Sequence, residues 1–175
     1  MQRQRWDQKI QRLTVISLLM AMNIILSMSV FSIPVPGGHL YFCDTVICMS
    51  AMLLDPVGAF VVGGIGSFLG DFLFYPAPMF VSLVTHGLQA MVIAGMTHGK
   101  AYRHPVRMAI AAVSVGAAIM VAGYTLGRAY VYATPEIALI KLPFEVLQAA
   151  LGAVLSVILC YPLGLKKRFD SFFRS

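Results

Sequence analysis

The stretch Lys9-Ile-Gln-Arg-Leu-Thr-Val-Ile-Ser-Leu-Leu-Met-Ala-Met-Asn-Ile-Ile-Leu-Ser-Met-Ser-Val30 decides the fold. Two cations lead into residues 13–30, which carry no charge at all. A run of that length without charges is a transmembrane helix signal. The pattern recurs along the chain, and the further spans are predicted at about 44–54, 56–74, 79–97, 105–124 and 135–161. The second is short for a span, so it is expected to be tilted or extended through Leu40–Cys43. Pro56, Pro105 and Pro135 suit helix starts, where a missing N–H costs nothing. Pro143 is expected to kink the last helix or to end a separate first turn.

Composition agrees. The 175 residues are 59% hydrophobic and only 11% charged, against about 25% charge in soluble domains. Mean hydropathy is +0.82. The sequence therefore reads as an all-α integral membrane protein, one compact six-helix domain over residues 1–175. The basic segment before residue 13 precedes a run without a small-residue cleavage site, so the first span is expected to be retained. Cys43, Cys48 and Cys160 have no metal-like spacing and read as small apolar helix residues.

The net charge of +6 is explained by orientation and not by nucleic-acid binding. Arg3, Arg5, Lys9 and Arg12 precede the first span. Lys100, Arg103 and Arg107 lie between the fourth and fifth, and Lys166, Lys167, Arg168 and Arg174 follow the sixth. Six spans put all three clusters on one side, which the bias of Lys and Arg toward the cytoplasm makes the inside. Both termini are then cytoplasmic. Five or seven spans would scatter the clusters. Only Arg128 and Lys141 fall elsewhere.

The remaining polar residues share one depth. Asn23, Asp44, Asp71, His86, Gln89, Tyr124, Arg128, Glu136, Lys141, Glu145 and Gln148 all fit in the outer half of a core about 30 Å thick. His86/Gln89 and Glu145/Gln148 are spaced i, i+3 and share a helix face. Ionisable groups at membrane depth are costly and mark pathways or sites, so an outward-facing cavity for a small polar molecule is expected. Plainer roles stand beside this. Asp44 also suits a helix N-cap, Arg128 an interfacial anchor, and His86 a hydrogen-bonded core histidine. Asp71 at a helix C-terminus needs a partner, which Arg128 or Lys141 could supply. Glu145 is hardest to explain without a site. The segment 31–41, with Pro34, Pro36, Gly37, Gly38, His39 and Tyr41, is apolar, uncharged and rich in turn residues. It suits a lid over the cavity or a plain interfacial connector with His39 and Tyr41 at the headgroups.

Helix 3 carries Gly58, Gly63, Gly64, Gly66 and Gly70, and helix 1 carries Ser17-x-x-x-Ala21. Small residues let helices approach closely in lipid. Gly63-Gly64-Ile-Gly66 is no phosphate loop, and the chain has no Walker motif, so any ATP coupling is external. A membrane enzyme would need a nucleophile–base pair or a metal triad. His86, Asp71 and Glu145 are candidates, but no His-x-x-x-His or Glu-x-x-His array supports them. A stand-alone carrier lacks a visible inverted repeat. No cofactor is expected.

Several segments together resemble a known family. Gly37-Gly-His-Leu-Tyr-Phe-Cys-Asp44, Leu54-Asp-Pro-Val-Gly-Ala59 and Gly63-Gly-Ile-Gly-Ser-Phe-Leu-Gly-Asp71 are similar to segments of the substrate-binding S components of energy-coupling factor (ECF) vitamin transporters. So are Gly123-Tyr-Thr-Leu-Gly127, Lys141-Leu-Pro-Phe-Glu-Val-Leu-Gln148 and Gly152-Ala153. The resemblance covers nearly the whole chain. It implies six helices that bind one vitamin near the outer face, under the loop between helices 1 and 2. It also implies docking on a membrane coupling protein (T component) driven by two ATP-binding-cassette ATPases in a prokaryotic cell membrane. Ser17 and Ala21 would match the docking motif on helix 1, with Ser17 in place of the usual alanine. Glu145 stands where the family's Pro-x-Asn-x-x-Gln pattern has Asn, and His86 stands at a position often basic or polar.

The expected pocket is then Asn23, His39, Tyr41, Asp44, Asp71, His86, Gln89, Tyr124, Arg128, Glu145 and Gln148, with no metal. A carboxylate at Glu145 favours a ligand with amino or protonated ring nitrogens and hydroxyls, unless Arg128 or Lys141 screens it. Pyridoxine-type or hydroxymethylpyrimidine-type vitamins fit, with stacking from Tyr41, Phe74, Tyr75 or Tyr124. Pantothenate and riboflavin remain open.

Overall fold

A computed structural model describes residues 2–28, 31–98 and 103–173, with side chains from residue 8 onward. Ser29 and Val30 at the expected end of helix 1, Lys100, Arg174 and the side chains of Arg3 and Arg5 lie outside the described residues.

Helix α1 (Gln2–Leu26) leads into a hairpin of β1 (Ile33–Val35) and β2 (Gly38–Leu40). Then follow α2 (Cys43–Leu53), α3 (Pro56–Phe60), a π-helical turn (Val61–Ile65) and α4 (Gly66–Phe74). Helices α5 (Met79–Thr97) and α6 (Pro105–Gly127) precede a second π-helical turn (Arg128–Tyr132), and α7 (Pro135–Cys160) and α8 (Leu165–Phe172) end the chain. Among the described residues, five helical stretches are long and apolar enough to cross a membrane: Gln8–Leu26, Pro56–Phe74, Met79–Thr97, Pro105–Tyr132 and Pro135–Cys160. The sixth apolar helix, α2, has only 11 residues.

The centre belongs to α2. It is apolar nearly all round, the pattern of an enclosed helix, and all of its residues except Thr45 are buried. It packs on α1, α3, α5 and α7. By contrast, α1 is peripheral: Leu13, Leu18, Met22 and Ile25 face outward. Glycine sets the closest crossings. On α6 a Cβ at Gly116 would lie 2.5 Å from Ile93, one at Gly123 would lie 2.5 Å from Thr85, and one at Gly127 would collide with Val81. These small residues bring α6 against α5.

The two ends of the bundle differ. Arg12 bonds Asp55 at 2.5 Å, and Lys166 Nζ donates to the Met52 carbonyl at 2.7 Å. The stretch of α1 around Arg12, the C-terminal end of α2, the start of α3 and the start of α8 therefore share the basic end.

Four expectations need correction. The segment after α1 is an antiparallel hairpin, with Ile33 opposite Leu40, Pro34 opposite His39 and Val35 opposite Gly38. The pairing claims Leu40, so α2 begins at Cys43 and is not extended through it. The fifth span does not end at Tyr124. The chain stays helical to Tyr132 because a π turn follows Gly127 without a break. Pro143 does not end a separate first turn, since α7 runs through it. Packed apolar helices tolerate an internal proline when neighbours compensate the lost bond. Finally, α8 lay outside the expected elements. It starts after Gly164, whose φ of +72° is left-handed backbone that glycine adopts freely.

Candidate functional site

A cavity of about 270 Å³ opens at the end of the bundle opposite Arg12 and Lys166. The hairpin roofs it. At the tip Gly37 and Gly38 have φ of +80° and +146°, which a side chain would strain. Two cations tie the tip to the helices. Arg128 Nη1 donates to the Gly37 carbonyl at 3.2 Å, and Lys141 Nζ donates to the His39 carbonyl at 2.5 Å.

Arg128 is placed by the π turn that continues α6. It is almost buried, so it is no interfacial anchor. Its Nη2 donates to Glu145 Oε1 at 2.8 Å and its Nε to the same oxygen at 3.3 Å. Thr125 Oγ1 donates to Glu145 Oε2 at 3.3 Å, and the guanidinium lies 5.3 Å from the Tyr132 ring centre. Glu145 is therefore screened, and the expectation that its bare charge selects a cationic ligand loses its premise. The condition attached to that expectation, a screening Arg128, is met.

Asp71 is satisfied differently from the expected cation pairing. The Ser82 hydroxyl donates to Asp71 Oδ2, and Tyr124 Oη lies 2.5 Å from Ser82 Oγ. A carboxylate at a helix C-terminus needs donors; Ser82 of α5 provides one directly, and Tyr124 of α6 bonds Ser82 behind it.

A third acid stands behind the wall. Asp44 is fully buried. It accepts from Gln148 Nε2 at 2.7 Å and from Gln89 Nε2 at 3.3 Å. Gln89 Oε1 lies 2.7 Å from His86 Nδ1, and the Tyr41 backbone N–H donates to Gln148 Oε1 at 2.9 Å. One chain of bonds thus joins the cavity floor to the end of the hairpin. Asp44 caps nothing through its side chain, since α2 has no side-chain N-cap bond.

Of the expected pocket residues, His39, Tyr41, Asp71, His86, Tyr124, Arg128, Glu145 and Gln148 line the cavity. Asn23, Asp44 and Gln89 do not. Asn23 joins α1 to the first π turn, donating to the Val62 carbonyl at 2.8 Å and to Ser67 Oγ at 3.1 Å. Depth along the chain carries no information on which side of a helix faces the void. Lys141, Tyr132, Ser27, Ser67, Cys43 and Met120 also line it. Lys141 was legible as a cation inside a span. Tyr132 was not, because it lies beyond the expected end of its helix. Burial, with Asp71 nearby, pushes the Tyr41 phenol up to about 12, so it stays neutral and keeps its donor at physiological pH. Cys43, Asp44 and His86 bring three ligand-type atoms within 4.8 Å of one another. That grouping joins residues far apart in sequence, which no spacing rule could find. Its Asp44 oxygens and His86 Nδ1 are already committed to amides.

The sequence that builds this fold has a counterpart among known protein families. Residues 7–167 match the family model described as ECF-type riboflavin transporter, S component. The chain belongs to the S components of ECF-type transporters. It is accordingly a multi-pass protein of the prokaryotic cell membrane, a vitamin-binding transporter subunit and not an enzyme. It is also similar to a protein of Pyrococcus woesei described as "Uncharacterized protein in gap 3'region", with 32% identity over 138 residues, 78% of this chain and 89% of that protein. This S component places Glu145 and Arg128 as a pair inside its cavity.

Proposed function

We propose that this S component captures a small, flat, nitrogen-containing vitamin with hydroxyl groups, of the pyridoxine or hydroxymethylpyrimidine type, from outside the cell. The observation that carries the choice is the cavity. At about 270 Å³ it lies just below the usual size of ligand sites, about 300 to 1,000 Å³, so a single ring fits more readily than several fused ones. Tyr41, Tyr75, Tyr124 and Tyr132 supply faces for stacking. Riboflavin is the second reading, favoured by the description of the matching family.

In this reading all six apolar helices cross the bilayer, with α2 as the short central one. The basic end is cytoplasmic and the cavity opens outward under the hairpin. Transport follows from docking on a membrane coupling subunit driven by two ATPases. The exposed face of α1 with Ser17 and Ala21 is the proposed contact, where small residues permit close approach. Cys43, Cys48 and Cys160 are buried and free and have no part in it.

The test is direct. Small molecules released from the purified protein are identified by mass spectrometry, and pyridoxine, hydroxymethylpyrimidine, riboflavin and pantothenate are titrated calorimetrically in detergent. Submicromolar binding of a one-ring vitamin alone supports the proposal. Tight riboflavin binding replaces it with the second reading. Binding of none of them, with no ATPases co-purifying, rejects vitamin capture by this chain.

A further inference from the structure

The bonds behind the cavity wall all run in one direction, and that direction fixes what the wall offers a ligand. An ionised carboxylate only accepts hydrogen bonds. Asp44 receives Gln148 Nε2 on one oxygen and Gln89 Nε2 on the other. The Gln148 amide is oriented independently, because the Tyr41 backbone N–H can only donate to its Oε1. The Gln89 amide is held twice, since its Nε2 also points to Cys48 Sγ at 3.6 Å. Gln89 Oε1 therefore faces His86 Nδ1 as an acceptor, and Nδ1 must carry the proton. In a neutral imidazole the other nitrogen is then bare. Which nitrogen carries hydrogen is assigned here from the network.

Asp71 imposes the same order on Tyr124. Ser82 has one hydroxyl hydrogen and gives it to Asp71. Its oxygen can then only accept from the Tyr124 hydroxyl, which leaves the Tyr124 oxygen with lone pairs. Arg128 and Lys141, which line the same cavity, have the reverse polarity. Arg128 uses part of its five-donor fork on Glu145 and Gly37, and Lys141 uses one ammonium hydrogen on His39. Both keep donors to spare.

We propose that Asp44 and Asp71 act as positioning residues that hold His86 and Tyr124 as hydrogen-bond acceptors toward the cavity, which Arg128 and Lys141 line as donors. The ligand then presents N–H or O–H groups to His86 and Tyr124, and a carbonyl-type or anionic oxygen to Arg128 and Lys141. This rests on the cavity being the vitamin site, and it narrows the class. An aminated or hydroxylated heteroaromatic ring that also carries an acceptor oxygen matches both sets. A ligand that is acceptor-only leaves His86 and Tyr124 unpaired, a costly outcome in a buried site.

The deciding measurement needs no ligand. The four histidines are labelled with ¹⁵N in the full chain in detergent micelles, and long-range proton–nitrogen correlation reads the tautomer of each ring. His86→Gln identifies the His86 signals. The expected result is a neutral His86 with hydrogen on Nδ1 and a bare Nε2, and a mixture of tautomers in Asp44→Asn. Hydrogen on Nε2, a fully protonated ring, or the same single tautomer in a folded Asp44→Asn each overturns the proposal. If Asp44→Asn does not fold, the wild-type spectrum alone decides. Titration of pyridoxine, hydroxymethylpyrimidine and riboflavin is run in parallel. Binding that falls at least tenfold in Asp44→Asn, although Asp44 does not line the cavity, supports positioning. An Nδ1–H tautomer in a protein that binds none of the three supports the polarity and counts against vitamin capture.

Discussion

Gly152 on α7 faces Asp44 on α2 so closely that a Cβ at residue 152 would lie 2.5 Å from the Asp44 Cβ and 3.0 Å from its backbone carbon. Nothing flexible is available to move, because the obstacle is backbone and the first carbon of a buried side chain. The absence of a side chain at 152 therefore sets where the central acid stands between Gln89 and Gln148.

Gly152→Ala is expected to push α7 off α2 and destabilise the fold by about 1–3 kcal/mol, the usual cost of overpacking. Ligand affinity should fall with it, because Gln148 and Asp44 separate. Thermal melting in detergent and calorimetry check both. An unchanged melting temperature would show that the two helices slide apart freely.

Arg128 and Glu145 should behave as a coupled pair. Removing one partner leaves the other buried and uncompensated, which costs about 3–5 kcal/mol at such sites. Arg128→Ala and Glu145→Ala are each expected to lower stability, and the double variant should lose less than the sum, by about 1–3 kcal/mol. A double-mutant cycle on thermal melting measures this. Strict additivity would mean that the pair is held apart by water.

Lys141→Met should loosen the hairpin while leaving α7 intact. The ammonium is replaced by an apolar chain that cannot bond the His39 carbonyl. Faster amide hydrogen exchange confined to residues 33–41 is expected, with binding weakened about tenfold, or about 1.4 kcal/mol. Exchange unchanged in that segment would make Arg128 the sole tether of the tip.

Orientation is tested by labelling from outside the cell. A cysteine at Pro36, in the exposed hairpin, should react, and one at Arg103 should not. The native cysteines are buried and give little background. Reaction at Arg103 would place the basic end outside and reverse the direction in which the cavity opens.

Ser17→Trp and Ala21→Trp are expected to block assembly with the coupling subunit and ATPases while preserving vitamin binding. Both positions are on the exposed face of α1, so bulk there does not disturb the interior. Co-purification and uptake assays read the effect. Normal complex formation in both variants would move the docking face to another helix.

The sequence made the helices legible because a bilayer imposes length and apolarity residue by residue. Counting along each span assigned Asp71, His86, Arg128 and Glu145 one expected depth, and all four line one cavity. Facing did not follow. Asn23, Asp44 and Gln89 share that depth, yet they turn toward neighbouring helices, and only packing decides rotation. The partner of Asp71 was missed because Ser82 looks like any small span residue. The helical course past Tyr124 was missed because a π turn leaves no local signature, and that turn is what aims Arg128 and Tyr132 inward. The hairpin was read as a turn-rich lid without its pairing, since three-residue strands are too short to show alternation.

The short length of α2 has one more consequence. Eleven residues rise only about 16 Å, roughly half of a hydrocarbon core about 30 Å thick. The helix starts at Cys43 on the cavity floor and ends at Leu53, beside the Met52 carbonyl that Lys166 meets. In the proposed six-span reading, the cavity begins where this helix stops short: a full crossing would need about two and a half more turns, and the cavity lies beyond Cys43 at that end. Lengthening α2 there is expected to fill the space proposed for the ligand.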